Sequence, residues 1–340
     1  MTASPDARTE SASTPGDATP GDATPGDATP GDATPGDATP GDATPATGPA
    51  GHVAPVVIDG RALAANVRED VRRRAAALRA AGRPARLDAI LACGDDGAEI
   101  YARKQASTCE DLGIEYRLHE LSSSANFEDV AGRVLLMNED DAVTAIMIHL
   151  PLPPGVDTER IQSLIDVDKD VEGVNPANIG NVVYGRRSLV PCTALAVMEM
   201  IESTGVELRG ARCVVVGASN IVGKPIAVLL MRAGATVVST NVHTRDQAEL
   251  TRLADVLIAA VGKPDLITAD MVKPGATVID VGVNRVKVTL PDGTRRSRTV
   301  GDVAYDAVSQ VAGAISPVPG GVGPMTVAML LRNTVDAAEH

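Results

Sequence analysis

From residue 55 onward, short β-branched runs alternate with stretches of helical periodicity. Runs at 55–58, 89–93, 114–118 and 143–149 predict strands, and the continuous apolar run 89–93 fits burial on both faces. Helices are predicted over 60–81, 100–112 and 127–138, the second ended by Gly113. The run Leu150-Pro-Leu-Pro-Pro154 stops the fourth strand. A second block starts with a helix at 196–204. Strands at 212–216, 235–239, 255–261 and 276–281 follow, with a helix at 223–233. A last helix covers 325–338. This βαβ order predicts an α/β protein of two domains with parallel sheets and right-handed crossovers.

Composition changes the picture at the N-terminus. Thr-Pro-Gly-Asp-Ala recurs six times from residue 14 to 43, and Pro and Gly every five residues forbid helix and sheet. Residues 1–54 read as a disordered tail. Its eight acids against Arg8 account for −7 of the formal net charge of −13, so the remainder is mildly acidic and nucleic acid is not an expected partner. No apolar run is long enough to span a bilayer, and no basic start precedes one, so neither membrane nor secretion is expected. Cys93, Cys109, Cys192 and Cys213 lack metal spacing, which fits a reducing cytoplasm and no metal site. With no Trp and one Phe, the core must be aliphatic.

Two segments carry the clearest chemical signals. In Ser316-Pro-Val-Pro-Gly-Gly-Val-Gly-Pro-Met-Thr326, three prolines and three glycines make a rigid path free of charge, along which backbone can approach a flat ligand. In Val214-Val-Val-Gly217-Ala-Ser219-Asn-Ile-Val-Gly223-Lys-Pro225, a strand turns sharply into a helix whose free N–H groups suit a pyrophosphate. The spacing is G-x-S-x-x-x-G, not G-x-G-x-x-G, and a plain turn would also use it. The acid expected at the next strand end is missing, and His243 or Arg245 could meet a 2′-phosphate. Tyr101 and Gln105 share one helix face, with Lys104 rotated away by about a quarter turn. His149 ends a buried strand, where ligands gather in open α/β sheets, although a lone histidine there serves structure as readily.

Together these segments resemble the methylenetetrahydrofolate dehydrogenase/cyclohydrolase family. The matching residues include His149-Leu-Pro-Leu-Pro153, Lys169-Asp-Val-Glu-Gly173, Asn178-Ile-Gly180, Pro191-Cys-Thr193 and Gly217 through Pro225. They continue with Ile279-Asp-Val-Gly-Val-Asn284, Gly301-Asp-Val303 and Ser316 through Thr326. The resemblance implies a folate-binding catalytic domain over 55–195, completed by the C-terminal helix in 318–340. A Rossmann-like NAD(P)-binding domain would cover 196–317, and the protein would be a homodimer. It implies hydride transfer from 5,10-methylenetetrahydrofolate to NADP, or NAD, and in many members hydrolysis to 10-formyltetrahydrofolate. It places Tyr101 near the pterin, and Leu150, Pro319, Gly320, Gly321, Val322 and Gly323 along the folate. Gly217, Ala218, Ser219, Gly223 and Val283 would touch the dinucleotide.

Three polar positions depart from the family pattern. Gln105 stands where the family has lysine, with Lys104 one residue early; His149 stands for glutamine; Glu172 stands for aspartate. Gln105 cannot titrate, whereas an unperturbed histidine can near neutrality, so His149 is the expected proton carrier. Hydride transfer needs mainly alignment of two rings and is expected to survive better than hydrolysis. Two other readings fit the same residues: an oxidoreductase acting on a modified pterin, and a folate- or nucleotide-binding paralogue without activity.

Overall fold

In the computed structural model, residues 54–92, 96–186, 188–289 and 295–340 are described. The acidic repeat and Cys93 lie outside them. β1 (Val56–Val57) leads into α1 (Gly60–Ala80), which Asp59 caps by accepting from the amides of Arg61 and Ala62. Then come β2 (Arg86–Leu91), α2 (Asp96–Leu112), β3 (Glu115–Glu120), α3 (Phe127–Asn138) and β4 (Ala145–Ile148). β3, β2 and β4 form a parallel sheet in that order.

All six residues of β2 are buried. It begins at Arg86, before the apolar run, because Arg86 and Asp88 neutralise each other inside the sheet at 2.7 and 2.8 Å. His119 Nε2 lies 2.7 Å from the same carboxylate.

The chain continues through α4 (Thr158–Gln162), α5 (Pro176–Tyr184), α6 (Cys192–Glu202), β5 (Arg212–Val216), α7 (Gly223–Arg232), β6 (Thr236–Thr240) and α8 (Gln247–Thr251). It ends with β7 (Val256–Ala259), β8 (Thr277–Asp280), β9 (Asn284–Thr289), β10 (Arg295–Val300), α9 (Tyr305–Val308), β11 (Ala314–Ile315) and α10 (Val322–Ala338). The larger sheet runs β1-β11-β8-β7-β5-β6, parallel throughout, and β9 and β10 form a separate antiparallel hairpin. β1 thus belongs to the larger sheet although it precedes the smaller one. Its Val56 amide donates to Gly313 O, and the following Ile58 amide to Ile315 O, both at 2.9 Å.

The two sheets meet across a shared layer of helices. α10 packs on α1 and α6. Its Met325, Ala328, Met329, Leu331 and Val335 join a core that includes Leu87, Ala89 and Met147 from one sheet and Cys213, Ile258 and Ile279 from the other. This core is aliphatic, as the composition requires. Asn333 on α10 donates to Val171 O at 2.9 Å and Val190 O at 3.0 Å, tying the helix to two loops that bound the site described below. Among the described residues no helix is long and apolar enough to cross a membrane.

Candidate active site

A cavity of about 510 Å³ opens between the sheets, within the size range of small-molecule sites. From the smaller sheet and its connections come Tyr101, Met147, Ile148, His149, Leu150 and Glu172. Pro191, Cys192 and Thr193 contribute the start of α6, and Thr326, Val327 and Leu330 one face of α10. Ile221 and Val222 from the turn before α7, and Arg285 from β9, close the far side.

α2 presents Tyr101 to His149 edge-on, with ring centroids 5.8 Å apart and planes at 79°. One turn on, Gln105 is only 3 % exposed. Neither its Oε1 nor its Nε2 has a partner among the described residues. Lys104 is exposed, because the residue preceding Gln105 points off the buried face of α2. It therefore does not join Tyr101 at the cavity.

His149 is also 3 % exposed. Its amide donates to Ile90 O at 2.8 Å, extending the β2–β4 pairing by one residue, and its Nε2 lies 3.1 Å from the Tyr116 hydroxyl. Burial pushes its imidazole down to about 4. The expected proton carrier is thus a neutral ring at neutral pH. Glu172 takes the titrating position. Its carboxyl sits at the cavity wall away from bulk water and accepts one bond, from the Ile148 amide at 3.3 Å. Desolvation there pushes it up to about 7.

On the nucleotide side, Gly217 adopts φ 111°, and a Cβ there would lie 2.1 Å from Ala260 O. The turn can be made only by glycine, and it brings Gly217 N to Thr240 O at 3.0 Å, beside the loop that carries His243 and Arg245. Both of those residues are exposed, and neither forms an ion pair among the described residues. α7 starts at Gly223 without a side-chain cap from its N-cap residue Val222. Ser219 Oγ accepts from the Gly223 amide at 3.4 Å, and Ala218 is half-buried beside it. This side-chain-poor turn lets backbone approach a dinucleotide phosphate at the positive end of α7. Val283, 67 % exposed, precedes β9.

The loop at β8 is held by two buried carboxylates. Asp280 accepts from the amides of Gly282, Asp302 and Val303, each at 2.9 Å. Asp302 accepts from Val261 at 2.6 Å, from Gly262 at 2.9 Å and from Asn284 Nδ2 at 2.9 Å. They fix the walls around the nucleotide turn.

Pro319, Gly320, Gly321, Val322 and Gly323 are not among the residues lining the cavity; Thr326, Val327 and Leu330 are. Helix α10 begins at Val322, three residues earlier than expected, and turns those later positions inward. The backbone of Gly320 and Gly321 packs onto the start of α1: a Cβ on Gly60 would lie 1.9 Å from Gly321 O. Arg285 and Tyr116 lie among charged strand neighbours and carry no chemical motif of their own, and only the fold brings them to the site.

Comparison with known proteins agrees with this geometry. The tetrahydrofolate dehydrogenase/cyclohydrolase catalytic-domain profile matches residues 58–172, and the NAD(P)-binding-domain profile of the same family matches 191–340. The bifunctional protein FolD of Bordetella avium is 47 % identical over 284 residues, covering 84 % of this chain and 97 % of that protein. The crystal structure of the FolD methylenetetrahydrofolate dehydrogenase/cyclohydrolase from Campylobacter jejuni superposes with a TM-score of 0.78 at 38 % identity, covering 84 % of this chain and 99 % of the other. The Trypanosoma brucei enzyme, solved with NADP cofactor and an inhibitor, also gives 0.78, at 37 % identity over 84 % of this chain and 98 % of the other. The smaller sheet, the larger sheet and the cavity between them are therefore those of a member of the tetrahydrofolate dehydrogenase/cyclohydrolase family.

Proposed function

We propose that this protein oxidises 5,10-methylenetetrahydrofolate to 5,10-methenyltetrahydrofolate with NADP, or NAD, and hydrolyses the product slowly. The observation that carries this reading is the cavity itself, which joins Tyr101, His149 and Glu172 on one side to Ile221 and Val222 of the nucleotide turn on the other. NADP⁺ bound on the Gly217–Gly223 turn supplies the hydride acceptor. Tyr101 offers a ring face for the pterin to stack on. Glu172, once ionised, accepts from the pterin's amino–imino edge.

Loss of hydride leaves a cationic product. Among the cavity-lining residues Arg285 is the one lysine or arginine, and the carboxyl of Glu172 faces the same space. The Glu172 carboxylate, once ionised, favours that developing positive charge, and the neutral His149 ring does not oppose it. The same poverty of proton carriers works against hydrolysis. Gln105 occupies the position of the family lysine and cannot titrate, His149 stays neutral, and Lys104 faces solvent. Water attack needs a proton taken from the attacking oxygen and ring opening needs one delivered to the departing nitrogen, and among the described cavity residues Glu172 is the group poised near neutral pH to carry it.

The test is an initial-rate assay with methylenetetrahydrofolate and either NADP⁺ or NAD⁺, run on the parent and on Gln105→Lys and His149→Gln. Dinucleotide reduction by the parent, with methenyl hydrolysis rising at least tenfold in the double variant, is the expected result. Absence of dinucleotide reduction would overturn the reading.

A further inference from the structure

The hydroxyl of Tyr116 lies 3.1 Å from His149 Nε2, and the two residues reach each other from different strands, 33 positions apart. β3 and β4 both pair with β2: Ile90 faces His119 on one side and Ile148 on the other. That register sets Tyr116 level with Leu87 and Ala145 at the start of β4, so its side chain reaches along the sheet face to His149 just past the strand's end. Tyr116 is half-buried, and its hydroxyl has no other hydrogen-bond partner among the described residues. His149 is 3 % exposed and lines the cavity, and Nδ1 is the ring nitrogen left without a protein partner there.

A bond between a phenol and an imidazole has a preferred direction. The sp² nitrogen of a neutral imidazole is a strong acceptor, whereas phenol oxygen is a poor acceptor because its lone pair is shared with the ring. Tyr116 is also kept protonated, since burial pushes its phenol well up. The ring tautomer is set by the bond its other nitrogen makes.

We propose that Tyr116 is a positioning residue: by donating to His149 Nε2 it fixes the Nδ1–H tautomer, so that His149 presents an uncharged hydrogen-bond donor to an acceptor atom of the bound ligand. The acceptor class is a carbonyl or ring nitrogen of a flat heterocycle. Tyr101 and Glu172 also line this cavity, from α2 and from the loop after α4. Neither makes a hydrogen bond to the His149 ring. Only the naming of the ligand rests on the function proposed above.

The experiment is ¹⁵N NMR of histidine-labelled full-length protein without ligand, with the His149 signals assigned by their loss in His149→Gln. A protonated Nδ1 and an unprotonated Nε2 are expected at neutral pH. In Tyr116→Phe, which keeps the ring, the population should move toward Nε2–H. A parent spectrum showing Nε2–H, or an unchanged tautomer in Tyr116→Phe, would overturn the proposal, and neither result bears on whether hydride transfer occurs. In the assay, Tyr116→Phe should raise the folate KM roughly tenfold, as loss of one buried hydrogen bond does, with kcat changed less. Tyr116→Phe with unaltered KM would contradict the role in ligand binding.

Discussion

Glu172 Oε2 accepts from the Ile148 amide at 3.3 Å, which pins the carboxyl beside the strand end that carries His149. Two ionisable groups thus share one cavity wall, with burial pushing one up to about 7 and the other down to about 4. Both are neutral between those values. Above pH 7 the carboxylate appears first, which is the form that pairs with a pterin's donors. The folate kcat/KM should therefore rise with pH through about 7 and level off above it. Glu172→Gln should lower the plateau and abolish the rising limb. A rising limb that persists in Glu172→Gln would assign it to another group.

The same two groups pull stability in opposite directions with pH. An imidazole held below its usual 6.5 contributes fully above pH 6.5 and loses that contribution as pH falls toward about 4. A carboxyl held above its usual 4.5 costs nothing while protonated, and its cost grows as pH rises from 4.5 to about 7. Each effect reaches about 3 kcal/mol at most. Across pH 4.5–6.5 they oppose. Relative to the parent, Glu172→Gln should gain stability as pH rises through that window, and His149→Gln should lose it. Denaturant unfolding of the three proteins at pH 5 and pH 7 checks the crossing.

Gln105 has both amide atoms buried without partners. Replacing it with methionine removes two unmet hydrogen-bonding groups at similar volume. The ligand-free protein should be stabilised by about 1 kcal/mol, or a melting temperature higher by about 2 °C. A drop of that size would show that the amide is satisfied in solution.

Gly60 and Gly321 touch backbone to backbone, and a Cβ on Gly60 would lie 1.9 Å from Gly321 O. Gly60→Ala should cost about 2 kcal/mol of stability and raise the folate KM, because the start of α10 must shift. Lys104→Ala, on the exposed side of α2, should leave kcat within about twofold. A large loss of activity in Lys104→Ala would place that lysine in the chemistry after all.

Local signals in the sequence reached the parts of the fold that local physics decides. Gly217, between a strand and a helix, reads as a sharp turn because no other residue makes it. The apolar run of β4 reads as a buried strand because hydrophobicity alone decides it. What stayed hidden depends on pairing between distant segments. β1 joins the sheet of β11 through two backbone bonds that no residue type announces. β2 extends to Arg86 because its charge meets Asp88 within the sheet. Tyr116 reaches His149 only through the register of three strands, so the ring expected to carry protons is instead buried and neutral. The rigid path at 316–326 was legible, but the contact of its Gly320 and Gly321 backbone with Gly60 was not, because it joins segments far apart in the chain.

The division of labour between hydride transfer and hydrolysis is most directly measured by following methenyltetrahydrofolate absorbance after the parent protein is mixed with methylenetetrahydrofolate and NADP⁺. Appearance of the methenyl signal in step with dinucleotide reduction, followed by slow decay at no more than a few times the rate of solvent alone, is expected. Dinucleotide reduction with no build-up of methenyl signal, or decay accelerated far beyond solvent, would contradict it.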